Sequence, residues 1–173
     1  MVFSSLLFVF LFLALNLVCY YSVKTIRQKN IVLLVFSLIF YAWGGAAYLL
    51  LLAGMAFWSW LCALMIEKKQ NKKSGLILMW ISVAVSLSFL LIFKYADFLI
   101  ENVNQLPGVS LPLSKLSLPI GISFYTFQII SYTVDVWRGD TKAQRNIISF
   151  GTYVSLFPQL IAGPIVRYTD IER

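Results

Sequence analysis

Charged residues fall in short clusters that divide the chain into apolar blocks. The first block, Val2 to Val23, carries no charge over about 22 residues, which is about 33 Å of α-helix and matches the hydrocarbon thickness of a bilayer. Lys24, Arg27 and Lys29 follow this block, whereas a cleaved signal peptide has its basic region first. The pattern predicts an uncleaved membrane helix with its N-terminus outside and its basic loop in the cytosol. The second block, Ile31 to Ile66, would be about 54 Å as one helix, too long for a single crossing even when tilted. Gly44-Gly45 is the natural reversal, leaving a short arm, Ile31 to Trp43, and a full-length arm, Ala46 to Ile66. The short arm covers only about 20 Å, so periodicity leaves open whether it crosses or returns.

The third block, Leu76 to about Phe93, leads outward to an expected interfacial cluster of Lys94, Tyr95 and Asp97. The polar, Pro- and Gly-rich ENVNQLPGVSLPLSKLSLP reads as an external connection without regular structure. The stretch LPIGISFYTFQIISYTVDVWRGD, residues 118–140, then returns inward to a basic exit, WRGDTKAQR. As a helix it places Gly121, Tyr125, Gln128, Tyr132 and Asp135 at spacings of four, three, four and three, on one face. Phe124, Phe127, Ile130 and Val134 occupy much of the remainder and suit lipid. An ionisable group at membrane depth costs about 2.5–3.5 kcal/mol or more, so it faces a partner or a pathway. Two readings stand side by side. Tyr125, Gln128, Tyr132 and Asp135 line a wet path, or Gln128 holds the bundle by an interhelical hydrogen bond and Asp135 snorkels to pair with Arg138.

The last segment, NIISFGTYVSLFPQLIAGPIVRYTDIER, is again membrane-compatible but interrupted by Gly151, Pro158, Gly163 and Pro164. Broken helices at membrane depth are tolerated where protein buries them or where they line a cavity. Arg138, Pro158, Gln159, Gly163 and Pro164 are therefore candidates for the substrate path or its scaffolding. A kinked span or an interfacial helix is the plainer alternative, and whether Ile147–Val166 spans fully stays open.

Composition excludes a soluble domain: 60% of the residues are hydrophobic and 12% charged, with a mean hydropathy of +0.83. The 16% aromatic content suits several crossings with rings at the headgroup levels. The expectation is an all-α, polytopic membrane protein, with five to six helices or half-helices in one domain over residues 1–173. The net charge of +7 is explained by topology rather than by nucleic acid. Lys24, Arg27, Lys29, Lys68, Lys69, Lys72, Lys73, Arg138, Lys142 and Arg145 all fall in the three loops placed inside. Those loops could also attract anionic lipid or an acidic carrier protein. Cys19 and Cys62 lie within apolar spans, away from charges that would favour a thiolate, and suit structural roles. No metal-ligand spacing, disulfide framework or phosphate-cradling Gly-rich loop is present in the sequence.

The motifs LPIGISFYTFQIISYTVDVWRG and, about twenty residues later, LFPQLIAGPIVRY resemble the membrane-bound O-acyltransferase family, in the branch of alginate O-acetylation and teichoic acid D-alanyl transfer. The similarity runs along the whole chain in hydropathy order, including YAWGG after the first basic loop. The resemblance implies many helices around a tunnel in a bacterial-type cytoplasmic (inner) membrane. It implies transfer of an acyl group, acetyl foremost, from a cytosolic thioester, acyl-CoA or an acyl-carrier protein, to a hydroxyl of an extracellular polysaccharide or cell-envelope carrier, with an extracytoplasmic acetylation partner. The family assigns the base to a histidine in its C-terminal half. This chain has no histidine, so it is expected to be the N-terminal portion of such a transferase, with no catalytic residue of its own and no turnover alone. A membrane transporter or channel, and a noncatalytic accessory subunit, remain the alternative classes.

Overall fold

A computed structural model of the chain describes residues 6–70, 72–105, 112, 119, 121–163 and 166–171. Among these there is no β-strand. A π-helical stretch, Phe8–Leu13, runs directly into α1, Ala14–Ser22. The chain is extended at Val23, and Thr25 then caps α2, Ile26–Gly44. The Thr25 hydroxyl accepts from the Gln28 amide at 3.3 Å, and the Gln28 side chain accepts from the Thr25 amide at 3.3 Å. This reciprocal cap starts the helix inside the basic cluster, five residues before the apolar arm. The arm that looked short is thus a helix of 19 residues, about 28 Å, long and apolar enough to cross.

Gly45 makes the reversal at φ 137°, a backbone conformation in which a Cβ would be strained, and its amide donates to the Ala42 carbonyl at 3.1 Å. The following helices α3, Ala46–Lys68, and α4, Lys73–Val103, are also long and apolar enough to cross. The helix of the third block does not end at the expected interfacial cluster. α4 runs on through Lys94, Tyr95 and Asp97 to Val103, 31 residues in all, because no glycine or proline follows Phe93 within it. Most of the connection read as external, residues 106–111, 113–118 and 120, lies outside the described residues.

α5, Ile122–Arg138, runs between two left-handed glycines, Gly121 and Gly139. It packs chiefly on α3 and α4, while α6, Ile147–Ser155, packs on α2 and α3. Small side chains let α3 and α5 approach: Cys62 and Ala63 are fully buried, and the Ser59 and Thr133 hydroxyls meet at 3.1 Å. The basic loops gather at one end. There Asn30 donates to Ser149, Gln70 to the Val136 carbonyl and the Ala143 amide to Glu67, while Arg145 pairs with Glu67.

The segment after α6 turns back instead of spanning. The chain breaks at Leu156 and continues as α7, Phe157–Ala162, with Pro158 in its first turn, where its missing N–H is not needed. The Phe157 ring sits 5.5–5.8 Å from Phe8, Phe12 and Phe40, and its amide donates to Ser37 at 3.3 Å. By Tyr168, the first residue of α8, Tyr168–Ile171, the chain is back at the basic end, where the Gln144 side chain donates to the Tyr168 hydroxyl at 2.6 Å. Residues 147–163 and 166–171 thus form the two arms of a re-entrant hairpin whose Phe150, Val154, Phe157 and Leu160 are buried in protein, as non-helical backbone at that depth requires. Gly151, read as a breaker, instead lies inside α6 beside Leu34, and Pro164 lies outside the described residues.

Candidate functional site

The spacing of α5 becomes a buried polar seam. Tyr125, Gln128 and Tyr132 are 0–1% exposed and Asp135 5%, whereas Phe124 and Phe127 on the other side are 38% and 46% exposed. The seam runs about 21 Å from Gly121 to Asp135. Its two halves differ in chemistry. At the Gly121 end, a Cβ on Gly121 would lie 3.1 Å from both the Leu160 carbonyl and the Tyr41 hydroxyl, so only glycine admits the hairpin tip at this φ of 73°. The Tyr125 hydroxyl, the Thr126 hydroxyl and the Gln128 amide oxygen that follow are buried with no hydrogen-bond partner among the described residues. Each such atom in a low-dielectric interior costs about 1–3 kcal/mol, so this half has unmet hydrogen-bonding capacity.

The half nearer the basic end is networked. The Tyr132 hydroxyl accepts from the Gln144 amide at 2.8 Å, and its ring packs on Phe150 at 4.6 Å and Tyr168 at 5.0 Å. Tyr153 meets Tyr168 edge-to-face at 5.2 Å and donates to the Val166 carbonyl at 2.9 Å. Asp135 accepts from Ser131 at 3.4 Å. Among the described residues no ion pair joins it to Arg138. The expected local pair fails because Asp135 faces the interior while Arg138, in the last turn of α5, is exposed beside Trp137, Lys72 and Lys73.

A cleft of about 390 Å³ adjoins this networked half, lined by Asn30, Gln144, Thr152, Tyr153, Gln159 and Tyr168. The candidates Tyr125, Gln128, Tyr132 and Asp135 come together on one seam, and Gln159 lies on the neighbouring cleft. Pro158 is exposed, and Gly163 packs against the Gln159 backbone. Asn30, Gln144, Thr152, Tyr153 and Tyr168 carried no spacing signal. Three different segments supply them, and only the hairpin brings them together.

No protein-family model and no solved structure matches the chain. Among curated proteins it is 43% identical over 179 residues to a probable alginate O-acetylase AlgI of Pseudomonas putida, covering 99% of this chain and 36% of that protein. It is 43% identical over 182 residues to the probable alginate O-acetylase AlgI of Pseudomonas aeruginosa, covering 99% of this chain and 34% of that protein. It is 28% identical over 199 residues to a peptidoglycan O-acetyltransferase of Helicobacter pylori, with 99% and 38% covered. The chain spans about a third of the length of the curated relatives it matches. With that identity along its whole length and an all-helical membrane fold, the chain belongs to the membrane-bound O-acyltransferase family.

Proposed function

We propose that this chain builds part of the polar path of a polysaccharide O-acetyltransferase in a bacterial-type cytoplasmic membrane, with its N-terminus outside and its basic loops in the cytosol. In the reaction a hydroxyl of an extracellular polysaccharide or cell-envelope acceptor attacks the carbonyl of a cytosolic acetyl thioester, carried by coenzyme A or by an acyl-carrier protein. The hydroxyl loses its proton to a base and the thiolate departs. With no histidine among its 173 residues, the chain offers oriented donors and acceptors rather than a base suited to neutral pH. The Tyr125 hydroxyl would donate to the developing oxyanion, where a preorganised donor is worth most in a water-poor site, and the Gln128 amide oxygen would accept from a hydroxyl of the acceptor. Tyr132 and Asp135, tied to Gln144, Ser131 and the hairpin, would keep the inner part of the path in register.

The observation that carries this reading is the unmet hydrogen-bonding capacity of Tyr125 and Gln128 on a buried seam, in a chain whose relatives are named as O-acetylating enzymes. The test measures acetyl esters on extracellular glycan, using membranes that carry the complete gene product. Gln128→Leu should lower transfer at least roughly tenfold at equal protein level, the scale of one lost oriented hydrogen bond, while Phe127→Leu on the exposed side should change it little. Full transfer by Gln128→Leu would remove the seam from the reaction path.

A further inference from the structure

A second polar feature stands apart from the seam, on the outer side of the basic end. Lys72 and Lys73 at the start of α4 and Arg138 at the end of α5 line a pocket of about 430 Å³, together with Leu76 and Trp137. All three cations are exposed, and none forms an ion pair among the described residues. The nearby acids do not neutralise them. Glu67 is committed to Arg145, and neither Asp135 nor Asp140 reaches any of the three at ion-pair distance.

The pocket is built by the fold. The Gln70 amide donates to the Val136 carbonyl at 3.3 Å, pinning the α3–α4 turn onto the end of α5. Gly75 lets that turn pack on the first turn of α4, since a Cβ there would lie 2.5 Å from the Lys69 carbonyl oxygen. α4 begins without a side-chain cap, so its dipole adds partial positive charge at the same place. Below the cations Leu76 and Trp137 supply the apolar part of the lining, and further along α4 Ile77 and Trp80 are exposed at 59% and 61%. Cations at the rim, a tryptophan at the interfacial level and an apolar wall beneath match an anionic headgroup attached to acyl tails. A soluble anion or an acidic protein would make no use of the apolar wall.

We propose that this pocket is a binding site for an anionic phospholipid, its phosphate held by Lys72, Lys73 and Arg138 and its acyl chain lying along Leu76 and Ile77. The site is independent of the acyl-transfer path, since it lies outside the buried seam.

The test reacts the full wild-type chain in mixed vesicles with a photoactivatable phosphatidylglycerol and maps the labelled peptides. Labelling should concentrate on residues 72–77 and 137–138, and excess phosphatidylglycerol should compete where phosphatidylcholine does not. A second arm weighs lipid retained by native mass spectrometry. Lys72→Gln/Lys73→Gln/Arg138→Gln should retain at least roughly tenfold less phosphatidylglycerol than wild type, while Lys24→Gln/Arg27→Gln/Lys29→Gln, which removes as much charge at the same end, should retain it. Equal loss in both variants would reduce the effect to general surface charge and overturn the site. Labelling blocked by polyglutamate but not by phosphatidylglycerol would assign the pocket to an acidic protein and overturn it equally. The wild-type labelling arm decides the matter if the triple variant does not fold.

Discussion

Replacing Phe157 by alanine tests whether the re-entrant hairpin is held by its tip. In lipid the tip gains no hydrophobic transfer energy on leaving water, so its anchorage rests on packing and hydrogen bonds. Phe157 is 1% exposed and makes ring contacts with Phe8, Phe12 and Phe40 at 5.8, 5.5 and 5.7 Å. At about 0.5–1.5 kcal/mol per aromatic pair, three pairs contribute about 1.5–4.5 kcal/mol. The hydrogen bond from the Phe157 amide to Ser37 belongs to the backbone and survives the substitution. The hairpin should therefore open more easily by about 2–4 kcal/mol, a factor of about 30 to 1,000 in the open population. Ser155 reports that opening, being 3% exposed just before the break. In a Cys19→Ser background, Ser155→Cys should react slowly with a maleimide, and adding Phe157→Ala should accelerate the reaction by that factor. Phe157→Leu, which refills most of the volume, should accelerate it far less. Cys62, fully buried on α3, serves as the internal reference for global unfolding. Unchanged labelling at position 155, or equal acceleration at Cys62, would refute a locally anchored hairpin.

Two further substitutions separate backbone from side-chain effects, read as stability in mixed-micelle unfolding. Glu67→Gln keeps an acceptor for the Ala143 amide but loses the charge that meets a largely exposed Arg145, so it should cost less than about 1 kcal/mol; Glu67→Ala loses both and should cost about 1–3 kcal/mol. Gly75→Ala forces backbone apart at the Lys69 carbonyl and should destabilise by about 1–3 kcal/mol, whereas Gly54→Ala in α3, with nothing within 4 Å of the new methyl, should stabilise by up to about 1 kcal/mol. Equal effects at the two glycines would contradict the close turn packing.

How much was legible in the sequence depends on the range of the interaction concerned. Membrane class and helical fold follow from composition and block length, because lipid permits few alternatives to a helix that satisfies its own backbone. The buried face of α5 also follows from local information: 3.6-residue periodicity places Tyr125, Gln128, Tyr132 and Asp135 opposite Phe124 and Phe127, and packing kept that division. The start of α2 was present in Thr25 and Gln28 but was masked by the basic residues around it. Apolar block length alone understated α4, because the helix continues past Lys94 and Asp97, neither of which stops a helix.

The amino-acid sequence by itself thus determined that this is a helical membrane protein, that the chain reverses at Gly44-Gly45, where its basic loops fall, and which side of α5 is polar. Each of those rests on residues within a few turns of one another. Only the tertiary structure decided that the chain turns back after α6 and that Asp135 is buried apart from an exposed Arg138. It also decided that Lys72, Lys73 and Arg138 share one pocket. Those outcomes depend on contacts between segments tens of residues apart: Phe157 with Phe8, Gln144 with Tyr168, and Gln70 with Val136. Local periodicity carries no record of such contacts, because they arise when helices pack and not when they form.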